Sequence, residues 1–359
     1  MNWITEIISP VFMEALGWTL LHSLWQGLVV MSALGLALAF IDTRASQLRY
    51  LLSVSAACVM LMWTSFTLVS EYQQAAINAS MLLPQPAFFS WSDVQIEVQE
   101  ELSVQESIIG FFESLPAFLT PMIPWITFGW ILGVFIFTAR WLGGIVYIRH
   151  LRTHNIIPVA YLWQLKVNKL ARKMGIGKTI LLRESSTINV PMVIGHLKPV
   201  ILIPIGILNG LTPAQLEAIF VHELAHIQRY DFIINLILSQ VEALFFYHPA
   251  FWWISARIRD EREHCCDDIA VGMCKDPVSY ARTLADLEAK KHQPVHLSMG
   301  LAGRKNHLLT RIQRIVMPDL NQTQSGPKVF FALLLVILMT STAWISPSSE
   351  QKEWSDQQG

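Results

Sequence analysis

VHELAHIQRYD, residues 221–231, decides how the rest of this 359-residue chain is read. His222, Glu223 and His226 fit H-E-x-x-H, in which two imidazoles four residues apart share one helical face and can bind one metal ion. The lead-in LTPAQLEAIF (211–220) carries clear helix-start signals: Thr212 as N-cap, Pro213 at the first helical position and Gln215 completing a capping box. Leu216, Ile219 and Phe220 continue an apolar stripe that turns both histidines inward. The bland alternative is a pair of core histidines satisfied by hydrogen bonds, and a third ligand separates the two readings.

That ligand is sought in RIRDEREHCCDDIA (257–270), about forty residues downstream. Glu263 and Asp267 are four residues apart, so one helix aims both at the same point: Glu263 as third ligand, Asp267 as acceptor of a hydrogen bond from a ligand imidazole. Three protein ligands with a fourth position open make a zinc ion (one Zn2+) catalytic in type rather than structural. Glu223, beside the open position, is placed to take a proton from the attacking water and pass it to the leaving amine. Asp260, Glu261 and Asp268 fall on other faces and read as a solvated acidic edge. Asp231 is either a helix-end residue or a hydrogen-bond partner of a ligand imidazole. His248, just before Pro249, is read as a structural cap in preference to a donor to the oxyanion.

Ahead of the motif, VAYLWQLKVNKLARKM (159–174) has helical spacing and is stopped by Gly175 and Gly177. TILLRES (179–185) and VPMVIGHLKPVILIP (190–204) read as strands with a tight connection at 195–199, where His196 is a polar turn residue. An exposed edge of that sheet within 190–204 could hold an extended substrate by strand addition.

Composition sets the surroundings. The chain is 53% hydrophobic and only 15% charged, with long apolar runs that coincide with gaps in Lys and Arg: none before Arg44 and none between Arg49 and Arg140. Spans are expected at 13–40, 50–70, 122–148 and 329–346, since roughly 20 apolar residues cross the hydrocarbon layer as a helix. The loop 42–49 carries two arginines, whereas 71–121 has seven acidic residues and no Lys or Arg, so the loop is expected inside and the acidic segment outside. The expected plan is two spans within 1–70, an external acidic segment 71–121, a third span 122–148, a cytoplasmic domain 149–328, a fourth span 329–346 and an external tail 347–359. No basic n-region marks a signal peptide, and both termini are expected outside a bacterial cytoplasmic membrane. With Cys58 in a span and Cys265, Cys266 and Cys274 cytoplasmic, no disulfide is expected and the cysteines read as small buried fillers.

Residues 232–254, FIINLILSQVEALFFYHPAFWWI, pose a test. Crossing the membrane there would put His226 and Glu263 on opposite sides of roughly 30 Å of hydrocarbon. Asn235, Gln240, Glu242 and Pro249 argue instead for a buried or membrane-apposed helical hairpin. The basic stretch 290–328, with HLLTRIQRIV as an amphipathic piece, is either a gate for the cleft, a segment on anionic lipid, or an ordinary positively charged linker.

H-E-L-A-H, then FFYHPAFWW, then RIRDEREHCCDD, with spans on either side, resembles the BlaR/MecR-type antirepressor membrane metallopeptidases, most specifically over 191–282. The resemblance implies a gluzincin with His222, His226 and Glu263 as zinc ligands and Glu223 as base. It also implies proteolysis of a cytoplasmic protein, such as a transcriptional repressor, or of the chain itself, in response to an external signal. Antibiotic-sensing members carry a penicillin-binding domain after the last span, and 13 residues follow Ser346 here, with S-D-N and K-T-G absent, so that sensing is not carried over. An external signal is then expected through the acidic segment, the spans or a partner, with no direct nucleic-acid contact. The fold class expected is a polytopic α-helical membrane protein of about four spans with a cytoplasmic α+β zincin (gluzincin) domain. Two other functions fit the same motifs: a quality-control membrane protease like the HtpX or CAAX prenyl protease families, and a non-catalytic membrane scaffold with a structural zinc site.

Overall fold

The computed structural model describes residues 9–81, 118–291 and 301–317, with the single residue 334. The expected fourth span, 329–346, most of the acidic segment and the C-terminal tail lie outside the described residues. The chain is mostly helical with one small mixed sheet. Helices α1 (Pro10–Phe40), α2 (Ser46–Met81) and α3 (Ile123–Thr153) cover the first three apolar runs, and each is long and apolar enough to cross a membrane. α2 runs past residue 70 through EYQQAAINAS, because Glu, Gln and Ala are good helix formers and no Pro or Gly intervenes.

The chain divides into two compact units, one of residues 1–28 with 58–136, the other of residues 29–57 with 137–359. In the first, small and polar residues hold the apolar helices together. Gln26 Nε2 donates to Thr67 Oγ1 at 2.8 Å and Thr127 Oγ1 to the Met13 carbonyl at 3.0 Å. A Cβ at Gly17 would collide with the Ile123 side chain, so that crossing needs glycine.

The second unit contains the sheet, of order β1-β2-β4-β3, built from β1 (Ile156–Pro158), β2 (Leu181–Ser185), β3 (Met192–Ile194) and β4 (Val200–Pro204). β2 and β4 are parallel; β1 and β3 pair antiparallel at the two edges. β4 reads as an unbroken apolar run because both its faces are covered. Ile201 and Ile203 join Leu182, Val167 and Leu170 under the helices, while Val200 and Leu202 pack on the other face with Leu151, Ile188 and Ile194. The 195–199 connection turns at Gly195, whose φ of +87° suits glycine.

After α4 (Tyr161–Lys173) and the single turn α5 (Ile207–Gly210) come the helices that matter for chemistry. They are α6 (Pro213–Gln228), α7 (Asp231–Leu244), α8 (Pro249–Cys274), α9 (Pro277–Lys291) and α10 (Leu301–Val316). The apolar 232–254 stretch is helical to Leu244, broken over residues 245–248 and helical again from Pro249. At 14 residues, α7 is about 21 Å long, too short for the ~30 Å hydrocarbon layer. All four cysteines are free; Cys265 and Cys266 are buried, Cys274 is half-buried and Cys58 is exposed.

Two expectations are overturned. Cys58 is exposed and no buried filler. Glu261 is no part of a solvated edge: it is 1% exposed, and Arg49 Nε donates to it at 2.7 Å with His264 Nδ1 at 3.2 Å. Arg49 also donates to the carbonyls of Leu38 and Ile41 at the end of α1, so one guanidinium ties the α1–α2 corner to α8. Burial pushes the Glu261 carboxyl up, but His264 and Arg49 outweigh it and hold it below the usual range. Its stabilising contribution is therefore complete above the ordinary carboxylate value of about 4.3 and is lost as pH falls through the lower folded value. Arg49→Ala should destabilise the purified protein by about 3 kcal/mol, and the double change Arg49→Met/Glu261→Leu by much less, in thermal melts at neutral pH. Equal losses in both would show that the ion pair is not what holds this corner.

Candidate metal centre

α6 begins as its sequence requires: the Gln215 amide donates to Thr212 Oγ1 at 3.3 Å and the Thr212 amide to Gln215 Oε1 at 2.9 Å, with Pro213 in the first turn. Two turns on, His222 and His226 lie one above the other, rings perpendicular with centroids 4.9 Å apart. α6 ends because Tyr230 adopts a left-handed conformation (φ 60°), and that reversal delivers Asp231 back beside the motif. α8 crosses α6 and supplies Glu263.

His222, His226 and Glu263 each present a ligand atom, all within 4.8 Å of one another. His222 Nε2 and Glu263 Oε2 are 3.6 Å apart, close to the separation of two donors sharing one tetrahedral ion with bonds of about 2.1 Å. Each imidazole is held from behind through Nδ1. Asp231 Oδ2 lies 2.8 Å from His226 Nδ1. On His222, the Tyr280 hydroxyl is 2.9 Å and Asp267 Oδ1 3.4 Å from Nδ1. Nδ1 engagement leaves Nε2 of both rings for a metal, the arrangement that fixes tautomer and ring direction in zinc sites. This donor set fits a divalent zinc ion.

The electrostatics follow from burial and from charge packed against charge. Burial pulls the His222 imidazole down, yet the hydrogen bonds to Asp267 and Glu263 outweigh it and raise it to about 9. Glu263 and Asp267 are buried too, which alone would raise them. His222 and Arg311 beside Glu263, and the Arg311 guanidinium on Asp267, hold both carboxyls below their usual range. Glu223, 7% exposed, goes the other way: burial raises its carboxyl against the pull of both histidines.

His222, Glu223, His226 and Glu263 line a cleft of about 410 Å³. One wall is Val190–Val193 with Gly195 and His196, at the sheet edge; another is apolar, from Ile219, Leu284, Leu287 and Leu308. His196 sits in its turn, 3.4 Å from Lys178 Nζ and stacked obliquely on Tyr230. His248 is not among the residues lining the cleft: it is fully buried at the N-cap of α8, accepting from the Phe251 amide at 3.4 Å. Among the rival carboxylates, Asp260 pairs with Arg257 and Asp268 with Arg314.

Three residues at this site carry no signal in the sequence. Tyr280 looks like one more member of the apolar stripe of α9, and Arg311 like a surface cation on an amphipathic helix. Cys266 Sγ lies 3.3 Å from His226 Nδ1 and 3.5 Å from Asp231 Oδ2. His226, Asp231 and Cys266 also converge within 4.8 Å, but through the nitrogen already held by Asp231. Burial drives the Cys266 thiol well above its ordinary value, so it supplies no thiolate there.

A family model described as BlaR1 peptidase M56 matches residues 29–315. Over 146 residues, 40% of this chain, the sequence is 24% identical to the methicillin resistance mecR1 protein of Staphylococcus aureus strain Mu50, covering 25% of that protein. Over 183 residues (48% of the chain) it is 24% identical to the regulatory protein BlaR1 of Bacillus licheniformis, covering 30% of it. Over 217 residues (58%) it is 23% identical to the regulatory protein BlaR1 of Staphylococcus aureus, covering 36%. The matches thus span between 25% and 36% of the length of these curated relatives.

Metal analysis of the purified protein should find about one zinc per chain, and after mild chelation His222→Ala, His226→Ala and Glu263→Ala should each hold far less. Unchanged zinc in Glu263→Ala would move the third ligand elsewhere.

Proposed function

The chain belongs to the BlaR1 peptidase M56 family, and we propose that it is a membrane-embedded zinc endopeptidase that cuts a cytoplasmic protein, a repressor-like regulator or the chain itself, in signal transduction. The observation that carries this reading is the convergence of His222, His226 and Glu263 around one point, with Glu223 beside them in an open cleft. A gluzincin-type domain within 149–328 accounts for the order of the parts: edge strand, H-E-x-x-H helix, then a crossing helix with the third ligand. The relatives' names, regulatory and resistance proteins, support a signalling role over general turnover.

Zinc, when bound there, supplies Lewis acidity to the peptide carbonyl and to the attacking water. Everything else is done by side chains of this chain. Glu223 takes the proton from the water and delivers it to the leaving amine. Asp231, Asp267 and Tyr280 keep the two imidazoles from rotating. Among the described residues β3 pairs with β4 alone and ends the sheet at the cleft wall, so its outer edge can hold a substrate segment in extended form. The apolar wall takes one side chain of that segment and excludes bulk water around the reacting carbonyl.

The proposed orientation puts the 149–328 domain in the cytoplasm, the acidic 71–121 segment outside, and a fourth span at 329–346. Its support is the distribution of Lys and Arg between the loops.

Glu223→Gln should keep its zinc, lose cleavage by about 10²–10⁴-fold and retain bound substrate that can be identified after capture from cells. Processing at the wild-type rate would refute Glu223 as the base. A separate check addresses orientation: external thiol reagents should label a cysteine placed at Ser92 and miss one at Lys178. The reverse pattern would remove the cytoplasmic substrate from this proposal.

A further inference from the structure

α10 carries two arginines one turn apart, and both grip adjacent acids on α8. Arg311 donates to Asp267 through both prongs of its guanidinium, Nη2 to Oδ1 at 2.6 Å and Nε to Oδ2 at 2.8 Å. Arg314 does the same to Asp268, both bonds at 2.8 Å, and its Nε donates to the Thr43 carbonyl at 3.1 Å. The two grips lead to different places. Asp268 faces the α1–α2 loop, where Ser46 also donates to it. Asp267 is fully buried and leads to the metal centre: its Oδ1 accepts from Tyr280 at 2.7 Å, and Tyr280 stands 2.9 Å from His222 Nδ1. Arg311 Nη1 is itself 3.6 Å from Glu263 Oε2.

A single donor leaves a carboxylate free to rotate about its Cβ–Cγ bond. A bidentate guanidinium fixes both oxygens and hence the plane of the group. We propose that Arg311 is a positioning residue for metal binding: it fixes Asp267 so that Asp267 and Tyr280 together aim the His222 ring. This rests on the reading of His222, His226 and Glu263 as metal ligands. Arg311 touches neither metal nor substrate; it works through Asp267. On this account α10 is part of the metal site, although it contributes no ligand.

The test is zinc affinity of the purified full chain in detergent, by competition with a chromophoric chelator, with the visible absorption of the cobalt(II)-substituted protein as second readout. Partners behind a ligand imidazole typically govern metal affinity by 10–100-fold, so Arg311→Ala should weaken zinc by about that factor and alter the cobalt spectrum. Arg311→Lys keeps the charge but not the fork, so it should recover part of the affinity. Because Arg311 acts through Asp267, Arg311→Ala combined with Asp267→Asn should lose no more than the worse single change. Arg314→Ala loosens the same helix from its outer side and should leave affinity within about threefold, which a merely structural role for α10 does not allow.

Wild-type affinity in Arg311→Ala overturns the proposal, as does an equal loss in Arg314→Ala or full additivity in the double variant. Should Arg311→Ala not fold, Arg311→Lys decides: wild-type affinity with an unchanged cobalt spectrum overturns it. Failure of the wild-type chain to bind zinc is a different result, which refutes the metal ligands and not Arg311.

Discussion

A carboxylate with no access to water must find cations or donors for both oxygens, and at Asp267 that requirement draws four helices to one point. Left alone, such a buried charge would cost several kcal/mol. Here Arg311 of α10, Tyr280 of α9 and His222 of α6 surround a side chain of α8. The demand for neutralisation therefore sets how these helices pack, and the direction of the His222 imidazole follows from it. The second imidazole has a smaller version of the same support, in which the left-handed turn at Tyr230 brings Asp231 onto His226. Two histidines four residues apart could rotate away from each other; two histidines each braced by a buried acid cannot.

Local signals made α6 and the facing of its two histidines legible. A capping box, a proline in the first turn and an apolar stripe specify the helix within its own sixteen residues. The i, i+4 relation then puts Glu263 and Asp267 on one face of α8 without knowledge of the partner. The strands were legible for a similar reason, since β-branched runs bounded by Gly and Pro have few other uses. What escaped was long-range. Glu261 sits among charged neighbours and looks solvated until Arg49, 212 residues away, is placed against it. Tyr280 and Arg311 are ordinary members of amphipathic helices, and only their packing shows which hydroxyl and which guanidinium point at an acid. His248 reads as a structural cap in preference to a donor to the oxyanion, and in the structure it stands at the N-cap of α8, accepting from the Phe251 amide.

The family match begins at residue 29, inside α1, and ends at 315, inside α10. The match starts where the second compact unit does, and in that unit the α1–α2 corner belongs to the same body as the sheet, the candidate metal centre and α10. Physically the corner is held by arginines at both ends of one chain of contacts, Arg49 on Glu261 and Arg314 on Asp268 and the Thr43 carbonyl. The loop between the first two apolar helices is thus a structural neighbour of the chemistry, one residue removed from the acid behind His222.

The order of residues along the chain gives this arrangement a consequence in time. Arg311 follows Asp267 by 44 residues. At about 5–20 residues per second, a ribosome needs roughly 2–9 s to add them. Throughout that interval His222, Glu223, His226 and Glu263 have already been made, while the buried acid beside them still lacks its cation. A nascent chain therefore carries the residues of the candidate site before it carries the guanidinium that fixes the acid behind His222.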